Sequence, residues 1–160
     1  MKTIQSIHRV PRAIFRFECR DAHGNLKWVE KRHNLVTSAA YNWAANVLFG
    51  ATVKSAAWYL GILNGTPATT DTMASHAGWT EVSYTGARAV LAFGSASAGS
   101  TAATTTITFN AAVTFDGAFV VDNSTEGGTT GNLYNAANFS TSRSVNSGDT
   151  LACTVTLTFS

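Results

Sequence analysis

Between Leu151 and Phe159 the chain alternates without a break: Leu151, Cys153, Val155, Leu157 and Phe159 fall on one side, Ala152 and threonines on the other. A period of two in a β-branched run describes a strand with one buried face. The same signature recurs at short intervals. Phe15, Phe17 and Cys19 oppose Arg16, Glu18 and Arg20; the turn residues Asp21-Ala22-His23-Gly24-Asn25 follow, and Leu26 to Glu30 reads as the return strand of a hairpin. Trp58–Leu63, Trp79–Tyr84, Arg88–Phe93, Thr105–Phe109, Val113–Phe115, Ala118–Val121 and Leu133–Phe139 (the last as an edge strand) are further short runs separated by turn chemistry. Such a series of short strands predicts a mainly β protein, an antiparallel jelly-roll-like β-sandwich.

One helix interrupts this pattern. Thr37 or Ser38 can cap it, Ala39 to Phe49 follows at helical spacing, and Gly50 stops it. Only Asn42 and Asn46 form a polar line along it, so the helix is expected to be buried on most sides, under its own sheet or against a partner. Thr72 to His76 predicts one further helical turn. Gly94–Ala103 reads as a flexible low-complexity loop and Asn123–Asn132 as a long glycine-rich turn.

Charge divides the chain. Residues 1–34 hold eight of the eleven Lys and Arg against three acids, a net +5, whereas the remaining 126 carry Lys54, Arg88 and Arg143 against six acids. Only 12% of residues are charged, about half the usual share, which leaves the body a weak barrier to association. Residues 1–12, interrupted by Pro11, read as a basic arm, and residues 13–160 as a single domain. Arg9 and Arg12 of the arm, with Arg16 and Arg20 on the outer face of the hairpin, are the candidate docking residues. They form either an electrostatic strap for an acidic protein surface or a solvated face that keeps the protein soluble. Direct nucleic-acid binding is disfavoured because Phe15, Phe17 and Trp28 lie on the opposite face from the arginines.

Chemistry is not announced anywhere. HExxH, Walker and GxGxxG patterns are absent, and Gly94–Gly99 only imitates a GxSxG elbow. His23 and His33 sit where a solvated imidazole is the default. Asp116, Asp122 and Glu126 stand beside glycine-rich turns and read as turn residues rather than a catalytic pair. No catalytic residue, metal ligand or cofactor is therefore expected, and no enzyme. Cys19 and Cys153 read as two buried thiols, with a disulfide joining the first and last strands as the alternative. Residues 1–15 lack the apolar run of a secretion signal and nothing approaches a membrane span, so synthesis in the cytoplasm and no membrane partner are expected.

The order of several segments is similar to that of the capsid cement, or decoration, proteins of tailed bacteriophages. The hairpin Phe17-Glu18-Cys19-Arg20-Asp21-Ala22-His23-Gly24-Asn25-Leu26-Lys27-Trp28 is followed by His33–Thr37, Trp58–Ile62, the string Asp71-Thr72-Met73-Ala74-Ser75-His76-Ala77-Gly78-Trp79-Thr80-Glu81, Gly117–Phe119, Gly127–Leu133 and Ser147–Leu151. The resemblance implies a virion structural protein on the capsid exterior, bound to the major capsid protein and paired with itself as a homodimer. Similar sequences are also described as tail-fibre proteins, which makes a receptor-binding appendage the alternative.

Overall fold

The computed structural model describes residues 12–84 and 86–159. Its elements are β1 (Arg12–Arg20), β2 (Leu26–His33), β3 (Leu35–Val36), α1 (Ser38–Phe49), β4 (Trp58–Gly65), β5 (Trp79–Val82), β6 (Ala89–Leu91), β7 (Ser100–Thr108), β8 (Val113–Val121), β9 (Leu133–Val145) and β10 (Thr150–Thr158). They form two antiparallel sheets, one in the order β2-β1-β10-β7, the other β3-β9-β8-β4-β5 with β6 also paired to β4. The chain is a β-sandwich with one helix, as the alternation predicts.

The first and last strands pair along their whole length, from Arg12 opposite Thr158 to Arg20 opposite Thr150. Their inward residues, Ala13, Phe15, Phe17 and Cys19 with Leu151, Cys153 and Val155, are all buried. Between the sheets the core is largely aromatic. Phe17 meets Phe139 edge to face at 4.9 Å, Phe115 lies 5.5 Å from Phe139 and 5.7 Å from Phe109, and Trp28 caps the group. A second, smaller core on the far face of the other sheet gathers Leu63, Met73, Trp79, Phe119 and Leu133.

Both sulfurs are free and buried, on neighbouring strands. Burial pushes the Cys19 thiol up to about 11, and burial pushes Cys153 higher still. A thiol reagent at neutral pH is therefore expected to leave both unmodified in the native protein and to modify both in denaturant; rapid native labelling would contradict the packing.

Several boundaries differ from the sequence reading, each for a local reason. Val113–Phe115 and Ala118–Val121 are one strand, because a register shift between Phe115 and Gly117 absorbs the break in alternation as a bulge. The predicted edge strand at Leu133 runs on to Val145 and lies between β3 and β8, since its polar second half still pairs with β8. Ser97 and Ser100 exchange both backbone hydrogen bonds around Ala98 and Gly99, which have φ of 48° and 73°. That is a tight hairpin turn, so β7 begins inside the segment read as a flexible loop. Thr72–Ser75 closes as a turn with reciprocal backbone bonds rather than a helical turn.

Gly61 shows how tightly the second core packs on the sheet, for its cross-strand partner Phe119 lies over it. A Cβ added there would fall inside the Phe119 ring. Gly61→Ala is expected to cost about 1–3 kcal/mol by overpacking, part of it restored by Phe119→Leu. Urea denaturation of the three variants measures this.

Candidate interaction surfaces

Three groups of residues needed placing: the basic hairpin, the acids beside the glycine-rich turns, and the apolar helix.

Arg9 and the rest of the arm up to Pro11 lie outside the described residues. Arg12 belongs to the sandwich, as the first residue of β1. Arg16 and Arg20 project from the outer face of β1, as the alternation predicts, and both are exposed. Both bond Glu18: Arg20 donates from Nη2 at 2.5 Å and from Nε at 2.9 Å, Arg16 from Nη2 at 3.2 Å. Arg20, then Arg16, holds the Glu18 carboxyl below its ordinary range. Part of the hairpin's positive charge is thus met locally. What remains is a face of Arg12, Arg16, Arg20 and Lys31 bordering the threonines of β10 and β7.

The acids are held by the fold. Asp122 accepts from Asn132 N and Nδ2, each at 2.6 Å, and from Ser55. Asp116 accepts from Gly65 N at 2.7 Å and from Ser142. Glu126 accepts from Tyr84 N and Gly86 N, both at 2.7 Å. Asp71 joins Ala68 N to the Trp79 indole N–H at 2.8 and 2.9 Å. Each carboxylate ties together loops or strand ends that are distant or adjacent in sequence. Among the described residues no group of three or more His, Cys, Asp or Glu is placed to hold a metal ion.

The long turn 123–132 is anchored by a pair that sequence reasoning passed over. Arg88, with its side chain fully buried, makes a two-pronged bond to Glu81, 2.7 Å on each prong. Its remaining donors reach Asn123 O at 2.9 Å and Gly128 O at 3.0 Å, and Glu81 accepts from Gly127 N. The guanidinium also lies over the Phe119 ring, 5.3 Å from its centre. The available signal was Arg88's isolation, because a body with three cations in 126 residues places each for a reason. A parallel cluster closes the other side of the sandwich. Glu30 of β2 pairs with Arg143 of β9 at 2.6 Å and with Arg32. Burial works to raise the Glu30 carboxyl, but Arg143, the Ser140 N–H and Arg32 outweigh it and hold it low.

Of the two covers expected for the helix, its own sheet supplies little. Thr37 does cap it, accepting from Ala40 N at 3.1 Å while donating to Leu133 O at 2.7 Å, which bolts the cap to β9. Yet Ala40 is the only residue of α1 that is buried. Leu48, Phe49 and the following Val53 are 73%, 90% and 83% exposed. The helix lies on the sheet by one narrow stripe, and the described residues leave its apolar end exposed, so burial under its own sheet is not what the fold supplies.

Trp43 is the hub of this end. It meets Trp58 edge to face at 5.2 Å, and Trp58 meets Tyr134 at 5.5 Å. With Phe93, Phe159 and the buried Val120 these rings line an apolar hollow of about 160 Å³. Trp43 also borders two neighbouring grooves, one holding Val53 and the other Val90. Leu48, Phe49, Val53, Val90 and Phe159 together present on the order of 600 Å² of apolar surface, the upper end for a whole monomer. Among the described residues no helix is long and apolar enough to cross a membrane.

The geometry defines a β-sandwich subunit with one uncovered apolar end. Residues 35–158 match the family of the podophage GP4 fiber I protein gp80, and the chain belongs to that family. It is therefore a structural protein of a phage virion. The matched span runs from β3 to the end of β10, so it contains α1 and the apolar end and excludes the basic hairpin. No curated protein matches the chain.

Proposed function

We propose that this protein is a subunit of a phage fibre, built into an external appendage of the virion by packing against other chains through the apolar end around α1. The observation that carries the reading is the exposure of Leu48 and Phe49 at the end of α1 and of Val53 in a groove that Trp43 also borders. Apolar surface of that extent, with Lys54 the only charged residue between His33 and Asp71, suits a permanently covered contact rather than a free monomer. The fibre name of the family supports the appendage over the capsid-cement reading. The residues of the basic strap lie outside the span that the family shares, so the match assigns them no part in the fibre. No reaction is assigned to the chain.

The deciding experiment locates the protein on virions with gold-labelled antibody. Label confined to an appendage is the expected result. Label spread over the head, together with purified protein saturating undecorated heads, would return the reading to a cement protein bound to the major capsid protein.

A further inference from the structure

The uncovered end carries a projection and a hollow of matching size. Phe49, at the last position of α1, is 90% exposed. The hollow framed by Trp43, Trp58, Phe93, Tyr134 and Phe159 measures about 160 Å³ and is almost wholly apolar. A dry apolar cavity of roughly 150 Å³ accommodates a benzene ring, so the hollow is the size of one phenyl group. Trp43 and Phe49 are six residues apart, about 9 Å along the helix and about 120° around it.

We propose that Phe49 of one copy seats in the Trp43–Phe159 hollow of a second copy, and that a two-fold axis between the two features forms both contacts at once. An isologous interface requires both halves of the contact on each subunit, and here the projection and the Trp43 wall of the hollow stand on adjoining faces of one helix. The area supports a second copy as the occupant: two patches of on the order of 600 Å² bury about 1,200 Å², the lower bound for a specific, stable interface. Charge is sparse here and of both signs: Lys54 and Asp122 are the ionic groups that line the two grooves beside the hollow. The proposal names the partner for the surface invoked in the fibre reading and rests on that reading for its place in the virion.

Sedimentation equilibrium of the full chain, from about 10 to about 500 µM, tests it. The mass is expected to rise from the 16.9 kDa of one chain to twice that value. Tryptophan emission should shift to the blue in step, because Trp43 and Trp58 line the hollow. Phe49→Ser should remain at single-chain mass throughout, with unchanged circular dichroism and melting, since an exposed side chain contributes little to the fold. Phe49→Leu should still associate, about tenfold more weakly. A wild-type chain that stays single, or association unaltered by Phe49→Ser, overturns the proposal. So does a red shift on deleting residues 2–11 from the Phe49→Ser chain, which would mean that the protein's own first residues fill the hollow. These measurements use purified protein, so their failure would leave the antibody localisation, and with it the fibre reading, standing by itself.

Discussion

Replacing Arg88 by Met is expected to lower stability by about 3–5 kcal/mol, the cost of leaving one member of a buried ion pair without the other. For a domain of this size that corresponds to a melting point lower by about 10 °C. Glu81 would keep only the Gly127 N–H, and the carbonyls of Asn123 and Gly128 would lose their donor. The damage is not confined to the pair. Since the same guanidinium ties the 123–132 turn to the sheet, hydrogen exchange at Gly127 and Gly128 should accelerate well beyond the global loss. The double replacement Glu81→Met with Arg88→Met should recover much of the stability, because no unpaired charge is left buried, while the turn stays loose. Urea denaturation with exchange measurements separates the two effects. A cost below about 1 kcal/mol for Arg88→Met would show that water reaches the pair.

The second large effect is expected at Phe115. Its ring is fully buried on β8 and touches Phe109, Phe139 and Trp28, so it joins strands of both sheets. Phe115→Ala removes most of a ring from a site that the surrounding rings cannot fill by small movements, at a cost of about 3–5 kcal/mol. Phe115→Leu keeps much of the volume and should cost less than about 1.5 kcal/mol. The near-ultraviolet circular dichroism should weaken in the Ala variant, as Trp28 loses a fixed neighbour. Equal costs for Ala and Leu would mean that the site collapses freely.

Much of the sandwich was legible because strand periodicity is a local signal. Phe15, Phe17, Cys19 and the alternating residues of β10 announced their burial, and Thr37 and Gly50 bounded the helix correctly. What stayed hidden depends on partners distant in sequence. Glu126 reaches back about forty residues to Tyr84 and Gly86, and Glu30 reaches forward to Arg143. Composition could not say which acids lock loops and which stand free. The cover of the apolar end was left open between sheet and partner for a similar reason. The makeup of Ala39 to Phe49 reports that its surface prefers contact, not whether the fold itself supplies that contact.

The lengthwise pairing of β1 with β10 has a mechanical consequence. Arg12 stands opposite Thr158, so the two ends of the sandwich leave from one corner. A pull applied between them would peel the ladder apart one bond after another, the weakest way to load antiparallel strands. A pull between that corner and the far end of the strands would load the whole ladder in shear. On the proposed fibre reading, the subunit would hold best under tension if strain entered it through one terminus and left through a lateral contact, never through both termini together.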